Sequence, residues 1–142
     1  MANDGEQRGG EAERRQMARK HVLAVNGDPQ FLDFIRELLQ EERYNVTTTN
    51  YVAQTHEIVR VLQPDLVIVD LVYGQQAGWD LLEDLAQAAS TAGIPVLVTS
   101  TNPRLLAEAA ADPARYGTTR ELVKPFDIDI LVAVVGELIG EA

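Results

Sequence analysis

Short, nearly continuous apolar runs alternate along the chain with stretches whose apolar residues recur at helical spacing. Runs of the first kind are typical of strands buried on both faces of a parallel sheet, whereas the second spacing is typical of helices that pack one face on a core. The runs predict five strands, over residues 21–26, 44–49, 65–70, 94–99 and 121–123.

Helical spacing predicts one helix after each strand. Asp28 is expected to cap the first helix and Pro29 to occupy its first position, because an aspartate oxygen accepts a hydrogen bond there and proline suits that backbone. This alternation of strands and helices predicts a doubly wound α/β domain, in which a five-stranded parallel sheet carries helices on both faces. The predicted helices run over residues 29–42, 52–62, 79–86, 103–111 and 127–139.

The net charge of the chain argues against some classes of binding partner. The 142 residues include 12 basic and 22 acidic side chains, a net charge of −10. Residues 1–20 hold five basic and four acidic residues, so the rest of the chain carries −11. A body this acidic repels a phosphate backbone, which argues against nucleic-acid binding. No apolar run approaches the ~18 residues of a membrane span, so no membrane partner is expected.

The absence of cysteine excludes disulfides, cysteine-ligated zinc and thiol catalysis. The N-terminus lacks the apolar segment of a secretory signal, and a cytoplasmic protein is therefore expected. Residues 1–20 are charged and have no apolar stripe, so they are predicted to form a flexible tail before a single domain over residues 21–142. The alternative for this tail is a basic arm that contacts a partner through Arg14, Arg15, Arg19 and Lys20.

Polar residues follow the carboxyl ends of the predicted strands, where ligands bind in open parallel sheets. Asp70 ends the third strand, Ser100 follows the fourth, and Lys124, the only lysine after residue 20, follows the fifth. A carboxylate, a hydroxyl and an ammonium that converge on one crevice suit the capture of a phosphoryl group. A Mg²⁺ ion held by one or two carboxylates would ordinarily neutralise the incoming phosphate.

The chain resembles the receiver domains of response regulators over residues 21–139. Four motifs carry the resemblance in order: residues 64–71 (PDLVIVDL), Gly78 eight residues after Asp70, residues 94–98 (IPVLV) and residues 123–126 (VKPF). Each motif alone is weakly specific, whereas four in the family's order and nearly its spacing are strongly specific. The resemblance implies the flavodoxin-like strand order 2-1-3-4-5.

The resemblance also assigns roles to the crevice residues. It implies that Asp70 is the phosphoacceptor and that Lys124 pairs with the phosphoryl group. Ser100 lies thirty residues after Asp70 and matches the switch hydroxyl, whereas Thr99 and Thr101 are off register by one.

The metal site departs from the family pattern. Family members normally hold Mg²⁺ with two acidic residues after the first strand, and the matching positions here are Asn26 and Gly27. Because Gly27 offers no side chain, the metal site is expected to be weakened. The resemblance then implies Mg²⁺ through a reduced set, which is the carboxylates of Asp70 and Asp28 and the backbone carbonyl of Val72. Capping of the first helix is the competing role of Asp28.

Two further positions depart from the family. Glu121 stands three residues before Lys124, where the switch aromatic is normally found, so the usual coupling between hydroxyl and aromatic is not expected. Gly74 replaces the proline normally found four residues after Asp70, which is expected to loosen that loop.

Taken with these departures, the resemblance implies a single-domain response regulator in a phosphorelay, and not an enzyme. Asp70 would accept a phosphoryl group from a histidine kinase or phosphotransfer protein, and a downstream protein would read the change. A pseudo-receiver that binds its partner without phosphorylation is the alternative, favoured by Asn26, Gly27 and Glu121. A flavin- or nucleotide-binding enzyme ranks third, because no glycine-rich phosphate loop follows the first strand.

The last predicted helix has more apolar surface than one core contact needs. Its apolar residues fill an arc of about 200°, against the ~100° of an ordinary surface helix. Surplus apolar surface indicates a partner, and in receivers this region forms the usual dimer surface. We therefore expect homodimerisation or docking of another protein at this helix; coverage by the N-terminal tail is the alternative.

Overall fold

A computed structural model of the protein describes residues 19–51 and 54–140, in which five parallel strands form one sheet. The order of the strands across the sheet is β2-β1-β3-β4-β5, which confirms the predicted fold class and strand order. The strands are β1 (His21–Val25), β2 (Asn45–Thr49), β3 (Leu66–Asp70), β4 (Val96–Ser100) and β5 (Arg120–Val123).

Helices connect the strands and cover both faces of the sheet. Within the described ranges there are six, and none combines the length and the hydropathy that a membrane crossing requires. They are α1 (Pro29–Glu41), α2 (Thr55–Leu62), α3 (Ala77–Gln87), α4 (Pro103–Ala111), α5 (Pro113–Tyr116) and α6 (Ile128–Ile139).

The predicted elements are found, with ends that differ by a few residues. Strand β1 stops at Val25, one residue earlier than predicted, and β4 begins at Val96, two residues later. The predicted start of the second helix at residue 52 lies outside the described residues, as does the predicted tail up to residue 18.

The short helix α5 is absent from the sequence prediction, because Pro113 there indicates only the end of α4. In the structure the Asp112 side chain accepts a hydrogen bond from the Arg115 amide at 3.2 Å, so it caps a new helix that begins at Pro113. This turn buries Tyr116 against Trp79, with ring centroids 4.8 Å apart. A proline after a capping residue starts a helix as well as it ends one.

The sheet separates two apolar cores, because successive residues of a strand face opposite sides. In β3, Val67 and Val69 pack with residues of α2, α3 and α4, whereas Leu66 and Ile68 pack with residues of α1 and α6. Asp70 continues the second set and so lies on the α1–α6 side, at the carboxyl end of the strand. The core pattern therefore fixes the side of the sheet on which the polar residues meet.

Candidate functional site

Three polar residues lie side by side at the carboxyl ends of the three central strands. Val25 of β1 pairs with Val69 of β3, which brings Asn26 next to Asp70, and Asp70 pairs with Thr99 of β4. Asn26 and Asp70 are each 4% exposed and Thr99 is 1% exposed. Buried polar groups require partners, so this row of three residues is the candidate functional site.

Lys124 reaches this row from the end of β5. Its Nζ atom lies 2.7 Å from Asp70 Oδ1, and the Thr99 hydroxyl donates a hydrogen bond to the same oxygen at 2.8 Å. The Lys124 amide donates to the Ser100 carbonyl at 2.8 Å, which holds the turn after β5 against β4. Among the described residues, both side-chain partners of the carboxylate contact Oδ1, so Oδ2 is the oxygen that can form a new bond.

An aromatic ring covers the lysine on the side of α1. Lys124 Nζ lies 4.4 Å from the centroid of the Phe31 ring, within the range of a cation–π contact. Phe126, two residues after Lys124, packs edge-on against Phe31 with centroids 6.3 Å apart. The ammonium is therefore held between a carboxylate and a ring, and its side chain is 18% exposed.

Ser100, the predicted switch hydroxyl, does not contact Asp70 in this structure. Its hydroxyl donates to the Leu71 carbonyl at 2.6 Å and accepts from the Asn102 amide at 3.1 Å. The hydroxyl beside Asp70 is that of Thr99, which the sequence resemblance sets off register. Thr99 pairs with Asp70 and faces the same side of the sheet, and this depends on the register between β3 and β4, which no sequence motif marks. The switch role of Ser100 stays a prediction, and it requires the bond to Leu71 to break.

Tyr51 is a site residue that the sequence reasoning misses. Its phenol donates a hydrogen bond to the backbone carbonyl of Asp70. Burial raises the pKa of Tyr51 above its ordinary value, and the negative charge of Asp70 raises it further. The phenol therefore stays protonated and keeps donating. No motif marks this position, because the contact depends on the path of the chain between β2 and α2.

The residues predicted to hold Mg²⁺ have other partners. Asp28 accepts a hydrogen bond from the Gln30 amide at 3.0 Å and so caps α1, as its competing role requires. The Val72 carbonyl accepts from the Gln75 amide at 3.1 Å. Over residues 19–51 and 54–140, no group of three or more acidic, histidine or cysteine side chains is placed to hold a metal ion.

The Asn26 amide also argues against a cation at this position. Its Oδ1 atom accepts a hydrogen bond from the Asp28 amide at 2.9 Å, so the Nδ2 donor is the atom of this side-chain amide that could contact a ligand. Nδ2 is buried and has no hydrogen-bond partner within the described part of the chain. Mg²⁺ is bound by oxygen atoms, so a donor nitrogen next to Asp70 does not fit a resident magnesium ion.

The two other departures from the family pattern lie in the loop after Asp70 and on strand β5. Gly74 has φ +78°, a left-handed conformation that proline cannot adopt. The loop therefore follows a path that the family's usual proline would not allow. Glu121 is exposed on β5 and stands where the family's switch aromatic is normally found.

A sheet of this strand order, with an aspartate at the end of its third strand paired to a lysine after its fifth, is the arrangement of a receiver domain. The sequence model of the response regulator receiver domain family matches residues 22–136. The chain belongs to this family, whose members act in two-component signalling.

The chain is also similar in sequence to part of two larger signalling proteins. The chain is 28% identical over 120 residues to the DNA-binding transcriptional regulator NtrC of Bradyrhizobium sp. (strain RP501 Parasponia), covering 84% of this chain and 24% of that protein. It is 31% identical over 138 residues to the sensor histidine kinase TmoS of Ectopseudomonas mendocina, covering 93% of this chain and 13% of that protein. The chain thus spans a quarter or less of the length of these two relatives.

A solved structure agrees in fold. The receiver domain of the sensor histidine kinase PA1611 from Pseudomonas aeruginosa PAO1 matches with a TM-score of 0.71 and 20% identity, covering 87% of this chain and all of that one. That structure has a magnesium ion coordinated in its active site cleft. At this identity the likeness establishes the shared fold alone, and the magnesium ion is a feature of that protein.

Proposed function

We propose that this receiver accepts a phosphoryl group on Asp70 and passes the signal on through changed protein contacts. The observation that carries the proposal is the Asp70 carboxylate, with Oδ1 held by Lys124 and Thr99 and Oδ2 left for bond formation. The donor would be a phosphohistidine of a histidine kinase or phosphotransfer protein. A downstream protein would be the reader.

The proposed transfer needs a nucleophile and groups that stabilise the added charge. Asp70 Oδ2 attacks phosphorus, a P–O bond forms and the P–N bond of the donor breaks; the leaving nitrogen takes up a proton from solvent. Lys124 offsets the charge of the phosphoryl oxygens. Ser100 would donate to one of these oxygens if its bond to the Leu71 carbonyl broke, and this exchange would alter the loop after β4.

Incubation with the small phosphodonor phosphoramidate is the direct test. Intact-mass measurement is expected to show one added phosphoryl group on the parent chain and none on Asp70→Asn, because the amide is not a competent nucleophile. Asp84→Asn, which changes an exposed acid of α3, is the control and is expected to be labelled like the parent. Labelling of Asp70→Asn would contradict the assignment.

The alternative is a pseudo-receiver, a protein-interaction module of the same fold that acts without phosphorylation. Asn26 and Gly27 favour it, because they remove the family's usual pair of acids. In that case the parent chain would stay unlabelled, and Asp70→Asn would bind the same partner with unchanged affinity.

We also propose that β5 and the start of α6 form a contact surface, with a second copy of the chain as its occupant. Val123, Ile128 and Ile130 are 43%, 47% and 46% exposed, although each is a large apolar side chain. Sedimentation at high micromolar concentration is expected to show a dimer for the parent and a monomer for Ile130→Glu. Val61→Glu, at an exposed apolar position of α2, is the control that should leave the dimer intact. A monomeric parent would overturn the proposal.

A further inference from the structure

The amide of Asn26 is oriented by the backbone, and its orientation decides what the crevice can bind. The Asp28 amide donates to Asn26 Oδ1 at 2.9 Å, so the oxygen is used within the turn. The Nδ2 donor remains buried and has no partner among the residues that the structure describes, on a residue that is 4% exposed and lies beside Asp70. An unsatisfied buried donor is costly, and a ligand that brings an acceptor oxygen would remove that cost.

The ion pair at Asp70 also leaves no surplus negative charge to attract a cation. The Lys124 ammonium, 2.7 Å from Oδ1, already balances the Asp70 carboxylate. Gly27 has no side chain, and the Asp28 carboxylate caps α1. Over the described residues, no group of three or more acidic, histidine or cysteine side chains is placed to hold a metal ion, so a Mg²⁺ ion would have few protein oxygen ligands beside Asp70.

We propose that this receiver holds its phosphoryl group without a divalent cation, and that the Asn26 Nδ2 donor acts where the family's usual members use metal. The inference rests on the proposed phosphorylation of Asp70. As before, Asp70 Oδ2 forms the P–O bond and the donor loses its P–N bond. The phosphoryl oxygens accept hydrogen bonds from Asn26 Nδ2 and Lys124 Nζ, and charge-assisted bonds of this kind suit phosphate.

Phosphoramidate labelling of the full chain, with excess EDTA or with Mg²⁺, tests the inference. The rate of mass gain is expected to be nearly the same in both conditions for the parent. The matched variant is Asn26→Asp combined with Gly27→Asp, which restores the acidic pair. A side chain has room at position 27, since a β-carbon there would meet no atom of the described residues within 4 Å. We expect this variant to be labelled at least about tenfold faster with Mg²⁺ than with EDTA.

A thermal melt with and without Mg²⁺ gives a readout that does not depend on labelling. A ligand that binds only the folded state raises the melting temperature. The parent is expected to melt at the same temperature in both conditions, and the double variant at a higher temperature with Mg²⁺.

The outcomes separate the two proposals. Parent labelling that EDTA abolishes would overturn the metal independence and leave phosphorylation of Asp70 standing. A parent that stays unlabelled in both conditions would overturn both. Equal labelling in EDTA and Mg²⁺, lost in Asp70→Asn, would support both.

Discussion

Replacing Lys124 by alanine is expected to lower the free energy of unfolding by about 3 kcal/mol, because it leaves the buried Asp70 carboxylate without its counter-ion. The Asp70 side chain is 5% exposed and that of Lys124 is 18% exposed, so water replaces the ammonium poorly. The change also removes the cation–π contact with Phe31. Equilibrium unfolding in urea measures the loss.

Arg120→Ala is the matched control for this change. Arg120 Nη1 lies 2.7 Å from Glu137 Oε2, the same separation as in the buried pair, but the two side chains are 45% and 61% exposed. An exposed pair contributes little, so the expected loss is less than about 1 kcal/mol. Asp70→Asn in the Lys124→Ala background is expected to recover part of the loss, since it removes the unpaired charge. Equal losses in the two alanine variants would contradict the assignment of a buried, stabilising pair.

The sequence was sufficient to predict the architecture, because the alternation of apolar runs and helical spacing leaves few arrangements for a chain of this length. Asp70 and Lys124 were placed together for the same reason: both follow strands whose carboxyl ends meet at one edge. The helix α5 escaped prediction, since a single turn has too few residues to show periodicity, and Pro113 was compatible with either an end or a start.

The hydrogen bonds of the site could not be predicted from the sequence, for a different physical reason. Which hydroxyl contacts Asp70 depends on a register difference of one residue between β3 and β4, and one residue moves a side chain to the other face. Family spacing favoured Ser100, whereas strand pairing places Thr99 there. The orientation of the Asn26 amide depends on a backbone donor two residues later, in a turn whose geometry the residue types leave open.

Gly78→Ala is expected to destabilise the protein by about 1–3 kcal/mol, the usual range for forcing an atom into a packed space. A β-carbon at Gly78 would lie 2.9 Å from Leu71 Cδ2 and 3.0 Å from the backbone carbonyl oxygen of Asp70. The second contact is with backbone, which cannot rotate away. Tyr51 donates to this same carbonyl, so a shift there disturbs the strand end that carries the Asp70 carboxylate.

Gly136→Ala separates this steric effect from the general effect of removing a helical glycine. Gly136 lies within α6, and a β-carbon there would meet no atom within 4 Å in the described part of the chain. Alanine is the better helix former by up to about 1 kcal/mol, so this variant is expected to be more stable than the parent. Urea unfolding should therefore move the two variants in opposite directions, and only Gly78→Ala should slow phosphoramidate labelling. A Gly78→Ala protein as stable as the parent would mean that α3 can move away from the end of β3 without cost, and that this contact does not hold Asp70 in place.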